Sequence, residues 1–323
     1  MWALTLDVGL AVVLVLAVVL LYIFYYADAD LVLLYKDRFG KRPESLQGDV
    51  VWITGASSGI GEYTAYHFAR AGCRLVLSAR RKDELDRVKG NCLKIGCNLQ
   101  DNDILVLVLD SMDCAAHQDA VNQVLSHFKQ IDILVNNAGK SQRSPWIDVE
   151  LMVDRELFEI NVFGPVSLTQ LVLPSMIQRK KGHIVAISSI AGKLAIPHSR
   201  SYNGSKAAIQ AYYECLRSEM KENNINVTVV CPGPVFSNLF KFAATGKYHQ
   251  MLGREMSKTE KRMTTDKCAQ YIVSATVNQL YEAWVSQHPW LVLLYFQQYF
   301  PDFTRWLLLK FGTTYLMKMR EGN

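Results

Sequence analysis

The sequence predicts an α/β fold: a doubly wound, mostly parallel sheet with helices on both faces, forming a single domain that follows an amino-terminal transmembrane helix. Three observations carry that expectation. Short apolar runs alternate with amphipathic stretches from residue 49 onward, a glycine-rich turn joins the first run to the first amphipathic stretch, and a long uncharged segment precedes them all. At 323 residues, half of them hydrophobic, the chain can bury a sizeable core.

The uncharged segment "VGLAVVLVLAVVLLYIFYYA" runs from Val8 to Ala27, between Asp7 and Asp28. At 1.5 Å per residue it spans about 30 Å, the thickness of a bilayer's hydrocarbon core. No basic residue precedes it, and bulky "YIFYYADAD" stands where a signal peptide would carry its small-residue cleavage site, so an uncleaved anchor is expected over 1–28. Tyr22, Tyr25 and Tyr26 suit an interfacial aromatic belt. The polar stretch "KDRFGKRPESLQGD", with Gly40, Pro43 and Gly48, predicts a linker over 29–48.

The domain expected over 49–286 opens with "VVWIT", a run suited to a buried strand. "TGASSGIG" (Thr54 to Gly61) follows as a turn, and "EYTAYHFARAG" as a helix ending at Gly72. "RLVLSA", "ILVLVLD", "IDILVNNAG", "HIVAISS" and "NVTVVCPG" continue the strands, with helical segments between them. Right-handed crossovers make such a sheet parallel, and ligands bind beyond the carboxyl ends of its strands, where the short polar motifs fall. The last stretch, 287–323, is rich in aromatic residues and interrupted by Pro301. Its apolar runs are too short to span a membrane, so interfacial helices are expected there, with dimer contact or core packing as alternatives.

Composition excludes some functions. The formal charge of +5 includes no basic block, which argues against nucleic acid as a partner. Seven cysteines are scattered without Cys-x-x-Cys or Cys/His ligand spacing, so no metal site is expected and free thiols in a reducing setting are. No repeat or low-complexity segment appears.

The glycine-rich turn has the chemistry of a dinucleotide cradle. Gly55 permits the tight turn, Gly59 lets backbone approach a pyrophosphate, and Gly61 allows close helix packing. Ser57, Ser58 and Ile60 complete the cradle at the helix amino terminus. An NAD site usually presents a carboxylate at the end of the second strand, to bond the adenosine ribose. Here Ser78 and Ala79 end that strand and Arg80 and Arg81 follow, which favours the 2′-phosphate of NADP(H).

Taken together, "TGASSGIG", "NNAG" (Asn136 to Gly139), "SS" (Ser188 and Ser189), "YNGSK" (Tyr202 to Lys206) and "PGPV" (Pro232 to Val235) resemble the short-chain dehydrogenase/reductase superfamily, over roughly Asp49 to Ser286. The resemblance implies a Rossmann-like domain that moves a hydride between a nicotinamide cofactor and a carbonyl or alcohol. It implies that Tyr202 donates the proton, and that Lys206, one helical turn on, lowers the tyrosine's pKa and holds the nicotinamide ribose. Ser189, thirteen residues before Tyr202, then matches the serine that bonds the substrate carbonyl, with Ser188 a near competitor. Asn161 matches the asparagine whose backbone carbonyl holds a relay water; alternatively it marks a helix kink.

By the same resemblance Asp110 approaches the adenine, Asn137, Ala138 and Gly139 line the adenosine ribose side, and Pro232, Gly233 and Val235 flank the nicotinamide. Many family members have threonine after "PGxV"; this chain reads "PGPVFSN", so Ser237 takes the carboxamide contact. Asp132 is expected to fix the strand that follows it. Residues 236–260 occupy the position of a mobile substrate lid, and their mixture of aromatics and lysines suits a bulky apolar carbonyl compound.

Anchor, "SARR" and aromatic tail together are similar to the membrane-bound dehydrogenase/reductase member seven group, with eleven-beta-hydroxysteroid dehydrogenases more distant. That similarity implies a single-pass endoplasmic-reticulum enzyme acting on steroids, retinal or xenobiotic carbonyls. Lys36, Arg38, Lys41 and Arg42 follow the span, which places the domain on the cytosolic side. The sequons at Asn203 and Asn226 agree, since both fall inside the expected fold. A homodimer is the expected assembly. A tethered cofactor-binding scaffold or sensor with little turnover is the alternative function.

Overall fold

Alternation in the sequence becomes seven parallel strands in the computed structural model, which describes residues 24–254 and 262–312 together with Leu14, Val18 and Tyr22. The expected anchor therefore lies largely outside the described residues, as do 255–260 of the expected lid and 313–323 of the tail.

The strands are β1 (Val50–Thr54), β2 (Arg74–Ala79), β3 (Ile104–Val108), β4 (Ile133–Asn136), β5 (Gly182–Ile187), β6 (Ile225–Pro232) and β7 (Glu282–Val285), in the order β3-β2-β1-β4-β5-β6-β7. Register is tight at the carboxyl ends: Thr54 lies beside Ser78, Ile53 beside Val135, and Asn136 beside Ala186. The chain winds outward in both directions from the β1/β4 pair, and this reversal opens the ligand crevice.

Helices cover both faces, and β1 shows why. Val51 and Ile53 enter the core shared with α1 (Leu31–Phe39), α2 (Gly59–Arg70), α3 (Lys82–Ile95) and α8 (Thr265–Val277). Val50 and Trp52 enter the opposite core, shared with α4 (His117–Phe128), α6 (Gly164–Arg179), α7 (Arg200–Met220) and α9 (Trp290–Tyr299). Fully burying one such side chain contributes about 1.5–3 kcal/mol, so a central strand of this kind is apolar throughout. Trp52 is buried completely, and its indole N–H donates to Ser78 Oγ at 2.9 Å. Asp132, ahead of β4, accepts from the Val50 amide and from Arg179. Burial pushes its carboxyl up, but the Val50 amide, Arg179 and Lys181 outweigh that and hold it below the usual range.

The stretch expected as a linker is instead largely ordered secondary structure. Residues 31–39 form α1, a 3₁₀ turn covers Pro43–Leu46, and Leu33 is fully buried against the domain. Asp30 caps α1 by accepting from Leu33 N at 2.9 Å, and the same carboxylate accepts from Trp284 N at 2.7 Å. Its local polarity reads as a linker because Trp284, the partner that docks it on the domain, lies 254 residues away.

Among the described residues one helical run, Leu151–Arg179, is long and apolar enough to cross a membrane. It comprises α5 (Leu151–Phe158), a π-turn (Glu159–Phe163) and α6. Its apolar face packs on the sheet and α7, with Val162, Leu168, Val172 and Met176 in the core, so burial inside the domain accounts for its composition.

Residues 236–254, the described part of the expected lid, form irregular backbone pinned by bridges from Ala244 to Gln142 and Met251. Beyond β7 the chain continues as α9, α10 (Pro301–Leu307) and a π-turn (Leu308–Gly312).

Candidate active site

One cavity of about 1030 Å³ lies beyond the carboxyl ends of the strands, large enough for a dinucleotide and a second ligand together. Every site residue expected from the sequence lines it except Gly61 and Asn161.

On one side the wall is made by the turn after β1. Gly55 has φ +65°, and an added Cβ would stand 2.9 Å from Ala138 Cα. Thr54 Oγ1 accepts from the Asn137 and Ala138 amides, while Asn137 Nδ2 donates to Thr54 O and Gly55 O. "NNAG" and "TGASSGIG" are thus stitched into one surface. Gly61 belongs to that stitching: a Cβ there would lie 2.4 Å from Gly55 O and 2.5 Å from Asn137 Nδ2. Gly59, at φ +60°, faces open space, with only Ser237 Cβ 3.5 Å from where a Cβ would stand.

This wall fits a dinucleotide. Ser58, the N-cap of α2, spends no side-chain bond on the helix, so the first-turn amides stand open to an anion. Arg81 donates to Ser57 Oγ at 3.1 Å and Ser58 Oγ at 3.2 Å, bringing its guanidinium over the turn. Arg80 is 70 % exposed and 3.9 Å from Asp110 Oδ2, while Asp110 Oδ1 accepts from Met112 N. No carboxylate ends β2, and Ser78 is engaged by Trp52 and Ile53 O. Arg80, Arg81, Lys140, Arg143, Lys206 and Arg262 line the cavity against only Asp110 and Glu156 among the described residues, an excess suited to a multiply anionic ligand.

At the centre α7 presents Tyr202 and Lys206. Both are at least nine-tenths buried, and Lys206 Nζ lies 5.9 Å from the centre of the Tyr202 ring. Nζ donates to Ile187 O at 2.8 Å, which ties α7 to the end of β5. Burial lowers the Lys206 pKa to about 8; nearby Cys231, a thiol that burial holds neutral, supplies no countercharge.

The two serines after β5 divide their work. Ser188 Oγ donates to Lys206 O and accepts from Gln210 Nε2, so it fastens the strand end to α7. Ser189 Oγ accepts from the Ala191 amide and donates to Pro232 O across 3.2 Å, the longest of these contacts. A carbonyl oxygen in the cavity competes for that one proton.

Asn161 sits in the π-turn and is buried. Its side chain accepts from Lys140 N and donates to Lys140 O and Ser205 Oγ, all at 2.9 Å, which fits the reading of a helix-kink residue. The kink is real, and with the side chain fully engaged only the backbone is left for a relay. Gly139 keeps the groups close: a Cβ there would meet Asn161 Oδ1 at 2.9 Å and Lys206 Nζ at 3.6 Å.

Sequence reasoning missed several wall residues. Lys140, directly after "NNAG", forms a 2.6 Å ion pair with Glu156 of α5. Arg143 donates to Ser199 Oγ and stands over the Phe240 ring, linking the 236–254 segment to the start of α7. His288, Pro289 and Trp290 reach the cavity from the aromatic tail. A charged pair next to a known motif was detectable by position; the tail residues had no local signal. The wall also carries an apolar group of Ile196, Leu239, Phe240, Phe242, Tyr248 and Met251.

A buried phenol beside an ammonium, at the end of a cradle for a dinucleotide, can deliver a proton to an oxyanion. Comparison with known proteins agrees with that constellation. The short chain dehydrogenase family model matches residues 49–247. Dehydrogenase/reductase SDR family member 7 from Homo sapiens is 44% identical over 323 residues, 99% of this chain and 95% of that protein, and the Mus musculus protein of the same name shows the same identity and coverage. A short-chain dehydrogenase from Streptomyces avermitilis, known from its crystal structure, superposes with a TM-score of 0.66 at 27% identity, covering 83% of this chain and 98% of that one. A phenol, an ammonium and a glycine-rich turn on one cavity, in a chain with these relatives, mean that the protein belongs to the short-chain dehydrogenase/reductase family, within its member 7 group, and so to a nicotinamide-dependent oxidoreductase fold.

Proposed function

We propose that the protein is a membrane-anchored, NADP(H)-dependent carbonyl reductase, reversible as an alcohol dehydrogenase, for bulky apolar ketones or aldehydes such as steroids, retinal or xenobiotics. One observation carries the reading: Tyr202, Lys206 and Ser189 line the same cavity as the glycine-rich turn and Arg80/Arg81, together with Phe240, Phe242, Tyr248 and Met251. Bound at the turn, the cofactor supplies the hydride. The chain's own residues do the rest: Ser189 orients the carbonyl, Tyr202 hands its proton to the developing alkoxide, and Lys206 stabilises the tyrosinate left behind. Arg80 and Arg81 hold the 2′-phosphate as a guanidinium pair. A scaffold that only bound the cofactor would not need a buried proton donor beside an ammonium.

The expected endoplasmic-reticulum membrane and cytosolic orientation belong to the same proposal. Asn203 Nδ2 donates to Ile196 O at 2.8 Å, so a glycan there would cost that bond, and Asn226 lies within β6, where a glycan would crowd the sheet. A glycosidase-sensitive mobility shift in microsomes would place the domain in the lumen instead.

The direct test is a screen of detergent-solubilised protein with steroid, retinoid and small aromatic carbonyls. NADPH should be consumed with a clearly higher kcat/KM than NADH. Equal efficiencies would remove the arginine assignment, and no turnover of any carbonyl would remove the reductase.

A further inference from the structure

A chain of exposed aromatic rings runs along the carboxyl-terminal helices. Phe296 contacts Phe300 at 6.1 Å and Phe303 at 6.4 Å between ring centres, Phe303 stacks on Trp306 at 5.9 Å, and Trp306 meets the edge of Phe311 at 6.0 Å. Tyr299, Phe300, Phe303, Trp306, Leu309 and Phe311 are each half exposed or more. A contiguous apolar surface of this kind marks a place where something other than water sits.

The amino-terminal segment identifies what sits there. Phe24 O bonds His288 Nε2 at 2.6 Å, and the Phe24 ring meets the edges of His288 and Tyr295 at 5.2 and 5.7 Å. Tyr22, Tyr25 and Tyr26 stand exposed beside this junction. The described end of the apolar run, from Phe24, therefore packs on the residues that open α9 and on Tyr295 within it. Lys310 lies over Trp306 and Phe311, at 5.0 and 5.4 Å, a rim cation whose apolar stem lies on rings while its charge can reach lipid phosphate.

The same helix touches the cavity. Trp290 at the start of α9, with His288 and Pro289 before it, lines the wall, whereas Phe296 and Tyr299 near its end belong to the exposed rings. Ten residues separate wall from surface by about 15 Å. We infer that α9, α10 and the following π-turn lie in the interfacial layer of the bilayer, and that apolar substrate dissolved in lipid reaches the cavity along α9. This rests on the anchored, apolar-carbonyl reading above.

The test uses the full chain reconstituted in phosphatidylcholine vesicles, with or without bromine on the upper acyl chain. The emission lost in Trp306→Phe is expected to be quenched at least twofold by brominated lipid and little affected by aqueous iodide. Quenching of that emission by iodide alone would put the face in water. Quenching by neither, with cross-linking of two copies through α10, would make it a dimer surface; either result overturns the inference. A second arm measures Phe303→Asp combined with Trp306→Asp. KM for a long-chain apolar aldehyde delivered in vesicles should rise at least fivefold, with kcat and the KM of a small water-soluble carbonyl unchanged, which also shows the variant to be folded. An unchanged KM for both substrates overturns the access route. If no carbonyl is turned over by the unmodified protein, the reductase reading fails while the quenching arm still decides the membrane face.

Discussion

On the cofactor side of the cavity, wall residues sit within a few positions of a strand end: Gly55 after β1, Arg80 and Arg81 after β2, Asp110 after β3, Asn137 after β4, Ser189 after β5 and Gly233 after β6. On the substrate side they come from irregular backbone at 236–254 and from the start of α9. A parallel ladder locks the first set in register, because slipping a strand would move a whole buried face. The second set is held by a few bridges and side-chain contacts, such as Arg143 on Phe240. On the function proposed above, chemistry is mounted on the part held by the parallel ladder and selectivity on the part held by fewer contacts.

The largest effect should come from the rigid half. Tyr202→Phe removes the proton donor while leaving the ring, and is expected to lower kcat by about 10²- to 10⁴-fold, the usual range for general acid catalysis. Cofactor affinity, measured by NADPH fluorescence, should hold within a few-fold. Near-normal turnover would move the proton donor elsewhere. Next comes Arg81→Ala, which deletes the guanidinium over Ser57 and Ser58. Charge-assisted bonds contribute about 1.5–3 kcal/mol each, so KM for NADPH should rise roughly 10- to 100-fold while KM for NADH stays constant. Equal losses with both cofactors would mean that Arg81 only braces the turn.

The pH profile probes the rigid half again, through Lys206. Burial lowers Lys206 to about 8, so its ammonium is present below that pH and lost above it. Reductive kcat/KM, which reports free-enzyme groups, should therefore fall about tenfold per unit well above pH 8. A profile flat to pH 10 would show that Lys206 keeps its charge or that catalysis does not need it.

The same contrast explains what could be read from sequence. Strand-end motifs are local: the alternation of apolar runs, the turn at Gly55 to Gly61 and the i, i+4 spacing of Tyr202 and Lys206 are all written in contiguous letters, and the structure brings them to one cavity. What was not legible depends on distance in the chain. Asp30 takes its meaning from Trp284, and His288 from Phe24. Short β7 has no alternation to announce it and exists because β6 offers an edge. Gly61 was legible as a glycine that close packing requires, but that it packs on the Gly55 carbonyl and the Asn137 side-chain amide needed the fold.

The smallest effect should come from the adjustable half, and it is the sharpest test of the division. Phe242 lines the cavity from the 236–254 segment yet is 45 % exposed, so removing its ring disturbs little of the core. Phe242→Ala should withdraw apolar surface from a large substrate, about 1 kcal/mol of contact, or roughly a fivefold rise in KM. A small aromatic aldehyde that does not reach the segment should be unaffected, as should kcat for both, because Tyr202, Lys206 and Ser189 are held by α7 and β5 and not by the loop. A fall in kcat with both substrates would show that the segment helps set the catalytic geometry, and the two halves would then have to be treated as one unit.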